Sequence, residues 1–280
     1  MLINNIMRNQ DIGLSRNTQD KFYTIPNISK LCLDYYKQHV NIDDDDLCIE
    51  PSAGNGSFIS SILDNFKKYK FYDIEPKNED IETLDFLKFN IDTNIEHNFK
   101  KIHIIGNPPF GRQSSLAIKF LRKCATFCDY IGFILPKSFK KDSMKNKIPK
   151  NFHNIFEVDL PVNSFLVEEN IHDVPCVFQI WEKRIYDREK VVKLKPKNYK
   201  FTKKNEEHHI AFRRVGVYAG NIYKQTEDKS FQSHYYIKFD NFSDELFDKL
   251  KKINYNSREH TTGPKSIGKQ ELIKEFNMFT

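Results

Sequence analysis

The sequence predicts an α/β protein built on a mostly parallel sheet with helices on both faces. Three observations carry this expectation. Apolar runs of strand length alternate with stretches of helical periodicity through the first two thirds of the chain, the pattern of crossover units that bury both faces of a sheet. A glycine turn, Glu50-Pro51-Ser52-Ala53-Gly54-Asn55-Gly56-Ser57-Phe58, separates a short strand from an amphipathic helix. The tetrapeptide Asn107-Pro108-Pro109-Phe110 directly follows the apolar run of Ile102, Ile104 and Ile105. Ligands in such sheets bind at the carboxyl ends of the strands, where both turns fall.

In order, residues 1 to 20 are polar and aperiodic and predict a mobile arm. Ile28, Leu31, Cys32, Tyr35 and Tyr36 mark a helix from Asn27 to about Val40, opened by Pro26. The acidic run Asp43 to Asp46 lacks the spaced ligands and glycine of a calcium loop and reads as a solvated turn. Leu47 to Ile49 predicts a strand, Ser57 to Phe66 a helix, Lys70 to Tyr72 a strand, and Leu84 to Phe89 a short segment. Ile102 to Ile105 is the next strand, Ser114 to Cys128 a helix, and Tyr130 to Leu135, Phe156 to Leu160 and Val174 to Trp181 are three more strands. Strands at Ile210 to Val217 and His234 to Phe239, a helix from Phe242 to Ile253 and a last helical stretch near Gln270 follow. There is no internal repeat.

At 280 residues and 33.2 kDa the chain can bury one substantial core and still form an appendage. The expected division is an arm (1–20), a main domain (21–185) and a basic C-terminal region (186–280). That region holds 20 Lys+Arg against 13 Asp+Glu, a balance of +7, in a chain whose total is +6. Such a balance suits a polyanionic partner through phosphate neutralisation. Five scattered cysteines, and no apolar N-terminal stretch resembling a signal peptide or membrane span, point to a reduced intracellular protein. Cys124 and Cys128 share helical spacing with Leu116, Ala117, Phe120 and Leu121, which reads as a buried face and not as a metal site.

The chemistry-bearing residues come in an ordered succession. Gly54 and Gly56 let backbone approach a ligand without a Cβ clash. Asp73, at the end of the next strand, is an acceptor-only group suited to a ribose diol. Asp85 beside Phe86 offers an acceptor next to an aromatic that can lie on a purine. At Asn107-Pro108-Pro109-Phe110 the two prolines restrict the backbone, so that the Asn107 carboxamide oxygen and the Pro108 carbonyl can each accept an N–H of a planar amine while Phe110 stacks on its ring. Phe165, in the loop after the Phe156 to Leu160 strand, is either a second stacking aromatic or a core residue. Cys176 of Pro175-Cys176 runs into an apolar strand and reads as buried, not as a thiol nucleophile.

Together these segments resemble the S-adenosylmethionine-dependent N6-adenine methyltransferases, in which cofactor motifs precede the catalytic motif and the target-recognition region comes last. Phe22-Tyr23-Thr24-Ile25-Pro26 is similar to their N-terminal cofactor motif, with an isoleucine where the family often has Thr-Pro directly. The resemblance spans roughly residues 21 to 182. It implies a Rossmann-like methyltransferase fold with a mostly parallel seven-stranded sheet and S-adenosylmethionine as cofactor. It further implies a cofactor-binding set of Tyr23, Thr24, Glu50, Pro51, Ser52, Gly54, Gly56, Phe58, Asp73, Ile74, Asp85, Phe86 and Asn107. Asn107, Pro108, Pro109 and Phe110 would be catalytic and Phe110 and Phe165 would stack on the target base, with no metal and no membrane involved.

In the basic region Lys193, Lys195, Lys197, Arg213 and Arg214 are expected to meet phosphates, with interleaved tyrosines available for stacking. His208, His209 and His234 lack cysteine or carboxylate partners at ligand spacing and read as ordinary polar residues. The expected activity is methyl transfer to adenine N6 in nucleic acid, with DNA ahead of RNA. Two alternatives stay open: a protein glutamine N5-methyltransferase, and an inactive methyltransferase-like subunit that binds nucleic acid.

Overall fold

The computed structural model describes residues 22–96, 98–167, 170–189 and 191–280, so the arm expected over residues 1 to 20 lies outside the described residues. The described chain divides into two compact units, one ending at Lys190 and the other beginning at Val191. The division falls a little beyond residue 185 because the segment after the last strand folds back on the first unit. Arg188 sets its guanidinium 5.3 Å from the Trp181 ring centre and donates to the carbonyls of Lys145 and Ile148.

The elements of the first unit are β1 (Tyr23–Thr24), α1 (Pro26–His39), β2 (Leu47–Glu50), α2 (Ile59–Leu63), β3 (Lys68–Asp73), β4 (Glu82–Thr83), α3 (Ile91–Asn94), β5 (Ile102–Gly106), α4 (Ser115–Cys124), β6 (Tyr130–Pro136), α5 (Asp142–Lys145), β7 (Phe152–Asp159), β8 (Phe165–Val167), β9 (Asn170–His172) and β10 (Cys176–Lys183). Seven strands form one sheet in the order β4-β3-β2-β5-β6-β10-β7. β10 runs antiparallel to both of its neighbours, and the pairs among β4, β3, β2, β5 and β6 are parallel. This is the expected Rossmann-like α/β sheet. β2 lies between β3 and β5, so strand order reverses there, and a crevice opens at the carboxyl ends of β2 and β5.

The strand pattern explains the two cores. Leu47, Ile49, Ile102, Ile104, Ile131, Phe133 and Leu135 face one side, against Ala117, Phe120 and Leu121 of α4 and Phe86 and Phe89. The intervening Cys48, Ile105 and Ile134 face the other, against Cys32, Leu33 and Tyr36 of α1 and Ile59 and Ile62 of α2. That period of two, with both faces apolar, is what a sheet covered twice requires.

Several elements differ from expectation. The helix expected over Ser57 to Phe66 shrinks to α2, because Gly54 (φ +56°) and Gly56 (φ +85°) hold left-handed conformations that carry the turn on to Phe58. The helix expected to start at Ser114 starts one residue later and stops at Cys124, since Gln113 and Ser114 sit at φ 54° and 60°. β7 begins four residues before the expected Phe156. The three-stranded ribbon β1-β8-β9 has strands too short for any periodicity to show. Of the acidic run, Asp43, Asp44 and Asp45 pair with Lys100, Lys67 and Lys68, but Asp46 is fully buried against His103.

The second unit is an antiparallel sheet of β11 (Tyr199–Thr202), β12 (Ile210–Arg213), β13 (Ile222–Tyr223) and β14 (His234–Phe239), ordered β11-β14-β12-β13. α6 (Asp244–Lys251) and α7 (Lys269–Phe276) supply Leu250, Leu272 and Phe276 to a core shared with Phe212 and Ile237. The strand expected to run to Val217 ends at Arg213, whose guanidinium donates to the Val215 carbonyl and closes the turn.

Candidate active site

A cavity of about 520 Å³ opens at the carboxyl ends of β2, β3 and β5. Its walls come from the glycine turn (Pro51, Ser52, Gly54), from Asp73 and Ile74 after β3, from Asp85 and Phe86, and from Asn107 to Phe110 after β5. Phe22 and Tyr23 close it from the β1 side, and Leu116 and Phe120 of α4 complete the apolar part. Segments as far apart in sequence as Gly54 and Asn107 therefore meet because parallel strands end at one edge.

The orientation of Asn107 is set by its neighbours. Its Nδ2 donates to the Phe22 carbonyl (2.9 Å) and to Thr24 Oγ1 (3.2 Å), while the Ser52 hydroxyl donates to its backbone carbonyl (3.2 Å). The carboxamide nitrogen is thereby occupied, and Oδ1 is left buried without a partner. An unsatisfied buried acceptor is costly unless something supplies a donor. The next residues are held just as firmly: the Phe110 carbonyl accepts from the amides of Leu116 (3.1 Å) and Ala117 (3.3 Å), which ties the loop to the start of α4.

On the glycine-turn side of the cavity, Asp73 is pinned by two backbone amides, Gly54 N–H to Oδ2 and Glu75 N–H to Oδ1, both at 2.8 Å. Each oxygen retains a lone pair for a further donor. A Cβ at Gly54 would stand 2.9 Å from the Tyr23 ring, so the close approach of turn and ring requires glycine. Asp85 caps a short 3-10 turn, accepting from Leu87 N–H (3.2 Å), and pairs with Lys88 at 3.3 Å while still lining the cavity. Glu50, at the end of β2, is 2% exposed, and its Oε2 has no partner. Burial, reinforced by the charge of Asp73, pushes its carboxyl well above the usual range.

Some expected site residues stand elsewhere. Phe165 is fully buried in β8, edge-on to Phe22 at 6.3 Å, so it has no face to offer a base. Pairing of β8 with β1 is what draws it inward. Phe58 is 1% exposed and belongs to the α1 and α2 core, because the apolar side of that turn faces the sheet. Gly56 does not line the cavity; it shapes the turn, where a Cβ would meet Ile59 and Asn78. Thr24 and Glu50 also lie behind the wall, Thr24 as a hydrogen-bond acceptor for Asn107. Phe86 lines the cavity but is 2% exposed and packs on Phe89 and Phe120, leaving little ring for a purine. Phe22 was not singled out by the sequence, although it belongs to the Phe22 to Pro26 segment.

In the second unit Lys193, Lys195 and Lys197 are exposed. Arg213 is half-buried: its guanidinium bonds the Val215 carbonyl (2.7 Å) and the Ser233 hydroxyl (2.9 Å), which makes it a brace for the β12 turn. Arg214 donates to the Gln232 carbonyl and lies 5.5 Å from the Tyr235 ring centre. Cys176 is 2% exposed and burial raises its thiol pKa, which leaves no nucleophile there. No cluster of metal-ligating side chains occurs among the described residues, and no described helix is long and apolar enough to cross a membrane.

No family model and no curated protein matches the chain. Among solved structures, TrmN from Thermus thermophilus is similar over 56% of this chain and 48% of its own, at 14% identity and a TM-score of 0.38. A methyltransferase subunit of a type I restriction-modification system from Streptococcus thermophilus is similar over 58% of this chain and 45% of its own, at 15% identity and a TM-score of 0.41. The chain thus spans about half the length of these two proteins. An rRNA methylase from Streptococcus thermophilus is similar over 55% of this chain and 95% of its own, at 15% identity and a TM-score of 0.38. Likenesses this remote carry none of the chemistry, which rests on the residues at the sheet edge.

Proposed function

We propose that this chain transfers a methyl group from S-adenosylmethionine to the exocyclic N6 amine of adenine in nucleic acid, with DNA ahead of RNA. The observation that carries the reading is the Asn107 carboxamide in the cavity lining, whose Nδ2 is occupied and whose Oδ1 is buried without a partner. The remaining walls fit the cofactor: carboxylates at Asp73 and Asp85 suit a ribose diol and a purine amine, and Gly54 exposes backbone beside them. Bound there, S-adenosylmethionine supplies an electrophilic sulfonium methyl.

An adenine amine delocalises its lone pair into the ring and is a poor nucleophile. Asn107 Oδ1 and the Pro108 carbonyl each accept one of its N–H groups, which favours a pyramidal nitrogen with the lone pair directed at the donor. The same two oxygens stabilise the positive charge that grows on nitrogen, so the site works by positioning and electrostatics without a strong base. Phe110 stacks on the base, which has left its own helix at a cost of a few kcal/mol that stacking helps to offset. The exposed Lys193, Lys195 and Lys197 contact phosphates.

Incubation of the protein with S-adenosylmethionine and mixed DNA and RNA, followed by mass spectrometry of the nucleosides, tests the reading. N6-methyladenine, more in DNA than in RNA, is expected. Methyl groups confined to glutamine side chains of added peptide, or no transfer to any substrate, would refute it.

A further inference from the structure

We propose that Gln270 and Asn277 of α7 clamp residues 194–197 into a fixed track, so that Lys193, Lys195 and Lys197 form a row that takes the phosphates of one nucleic-acid strand. The inference deepens the nucleic-acid reading given above and rests on it. Gln270 Oε1 accepts from the Leu194 N–H (2.8 Å) while its Nε2 donates to the Leu194 carbonyl (3.2 Å). Asn277 repeats the arrangement: Oδ1 accepts from the Lys197 N–H (3.0 Å) and Nδ2 donates to the Lys195 carbonyl (2.9 Å). Each amide thus grips the backbone with both of its polar ends.

The two grips match in spacing. Seven residues of helix rise about 10 Å, and the three steps from Leu194 to Lys197 span about 10 Å when extended, so the segment runs alongside α7. Residues 191–196 belong to no helix or strand, Val192 is 75% exposed and Leu194 40%, and apolar burial therefore does little to hold them. Fixing such backbone costs conformational entropy at every residue. Four hydrogen bonds given to a segment with so little core point to a use for its exposed side chains.

Those side chains include cations without partners. Lys224, Lys229 and Lys238 pair with carboxylates of their own unit, whereas Lys193, Lys195, Lys197 and Lys274 have no ion pair among the described residues. Lys274 lies four residues after Gln270 and three before Asn277, on the helix face that holds the track. From Val191 to Lys197 there is no acidic residue. A row of like charges calls for a ligand whose opposite charges repeat along its length, which is what a sugar–phosphate backbone offers. Because the amides hold the row in advance, the strand does not have to order it on binding.

Binding of a fluorescent oligonucleotide duplex, read by anisotropy over a range of salt, tests the clamp without any cofactor. The double variant Gln270→Ala with Asn277→Ala keeps every lysine and the core residues Leu272 and Phe276. It is expected to weaken binding by about five- to thirtyfold, the cost of fixing one backbone residue again, with the salt slope unchanged. Each single variant should fall between, so the result does not depend on the double variant folding. Amide hydrogen exchange at Leu194 and Lys197 should quicken in the same variants. Unchanged affinity in the double variant, no binding by the wild type at any salt, or equal affinity for polyglutamate overturns the inference. Formation of N6-methyladenine together with unchanged affinity in the double variant removes the clamp and leaves the methyl-transfer reading standing. Weakened binding in the variants of a protein that methylates no nucleoside upholds the clamp and removes that reading instead.

Discussion

At the cavity of the first unit, polar side chains are held by backbone amides and carbonyls and still present atoms without partners, whereas the cations of the second unit are mostly paired within their own surface. Asp73 takes two amides, and Asn107 gives Nδ2 to Phe22 and Thr24 yet keeps Oδ1 unsatisfied. In the second unit Lys224, Lys229 and Lys238 pair with Asp244, Asp228 and Glu207. Arg213 braces a turn, and Lys269 lies 4.7 Å from the Phe201 ring centre and 5.6 Å from that of Tyr235. The contrast teaches that surplus charge is a weaker sign of a site than a buried partnerless atom on a residue that lines a cavity, since partnerless atoms also occur away from this cavity, at the Tyr199, Thr202 and Tyr255 side chains. A cation at the surface is readily satisfied by solvent, and a buried oxygen is not.

The contrast can be broken most sharply at Asn107. Asn107→Ala should lower methyl transfer by about two to three orders of magnitude while S-adenosylmethionine still binds, measured by single-turnover transfer and calorimetry. Full activity would show that the orphan oxygen has no part in the reaction. Gly54→Ala should come next. A Cβ at 2.9 Å from the Tyr23 ring, on backbone at φ +56°, displaces the glycine turn and costs about 1–2 kcal/mol of stability, seen as a lower denaturation midpoint and, on the proposed reading, weakened S-adenosylmethionine binding.

Charge in the second unit gives smaller effects that sharpen the distinction between available and engaged cations. Replacing Lys193, Lys195 and Lys197 with Ala should flatten the log–log salt dependence of duplex binding by about 0.9 for each lysine that meets a phosphate. Arg213→Ala should leave that slope unchanged and lower stability by about 1–2 kcal/mol through the lost brace. A slope change in Arg213→Ala would return that residue to the phosphate surface.

A last test concerns the far end of the sheet, where His103 is fully buried with its Nε2 3.0 Å from Asp46 and its Nδ1 2.8 Å from the Tyr36 hydroxyl. Burial lowers its pKa below the ordinary 6.5, Lys101 adds to this, and Asp46 and Asp129 oppose it; Tyr130 stacks on the ring. The folded state therefore keeps the ring neutral where the unfolded chain takes up a proton. Its contribution is complete above pH 6.5 and declines as pH falls from there through the folded pKa. The thermal midpoint should drop between pH 7.5 and 5.5, and His103→Gln should make that drop shallower. An identical pH profile in the variant would remove His103 as the cause.

Much of the first unit was legible in the chain itself. Leu47 to Ile49 and Ile102 to Ile105 are strands because their side chains alternate between two apolar faces, and that pattern is local. The glycine turn and Asn107 to Phe110 could be placed at strand ends for the same reason, and parallel strands bring their ends to one edge. The second unit is harder to read: the sequence pattern does not single out β11, and the run after Ile210 reads as a longer strand, because nothing in its composition reveals that Arg213 turns back on Val215.

The amino-acid order by itself determined the alternation of elements, the sheet edge to which the motifs belong and the residue types that meet there, since periodicity and turn chemistry act within a few positions. Tertiary packing alone decided which aromatic faces Phe110. Phe165 and Phe22 are both aromatics near short strands, yet the pairing of β8 with β1 buries the first and leaves the second at the cavity. It also decided that Asp46 is buried against His103 while its three acidic neighbours stay in solvent, and that the Asn107 oxygen is buried without a partner. Burial and hydrogen-bond partners depend on contacts between segments distant in sequence, and no local pattern encodes them.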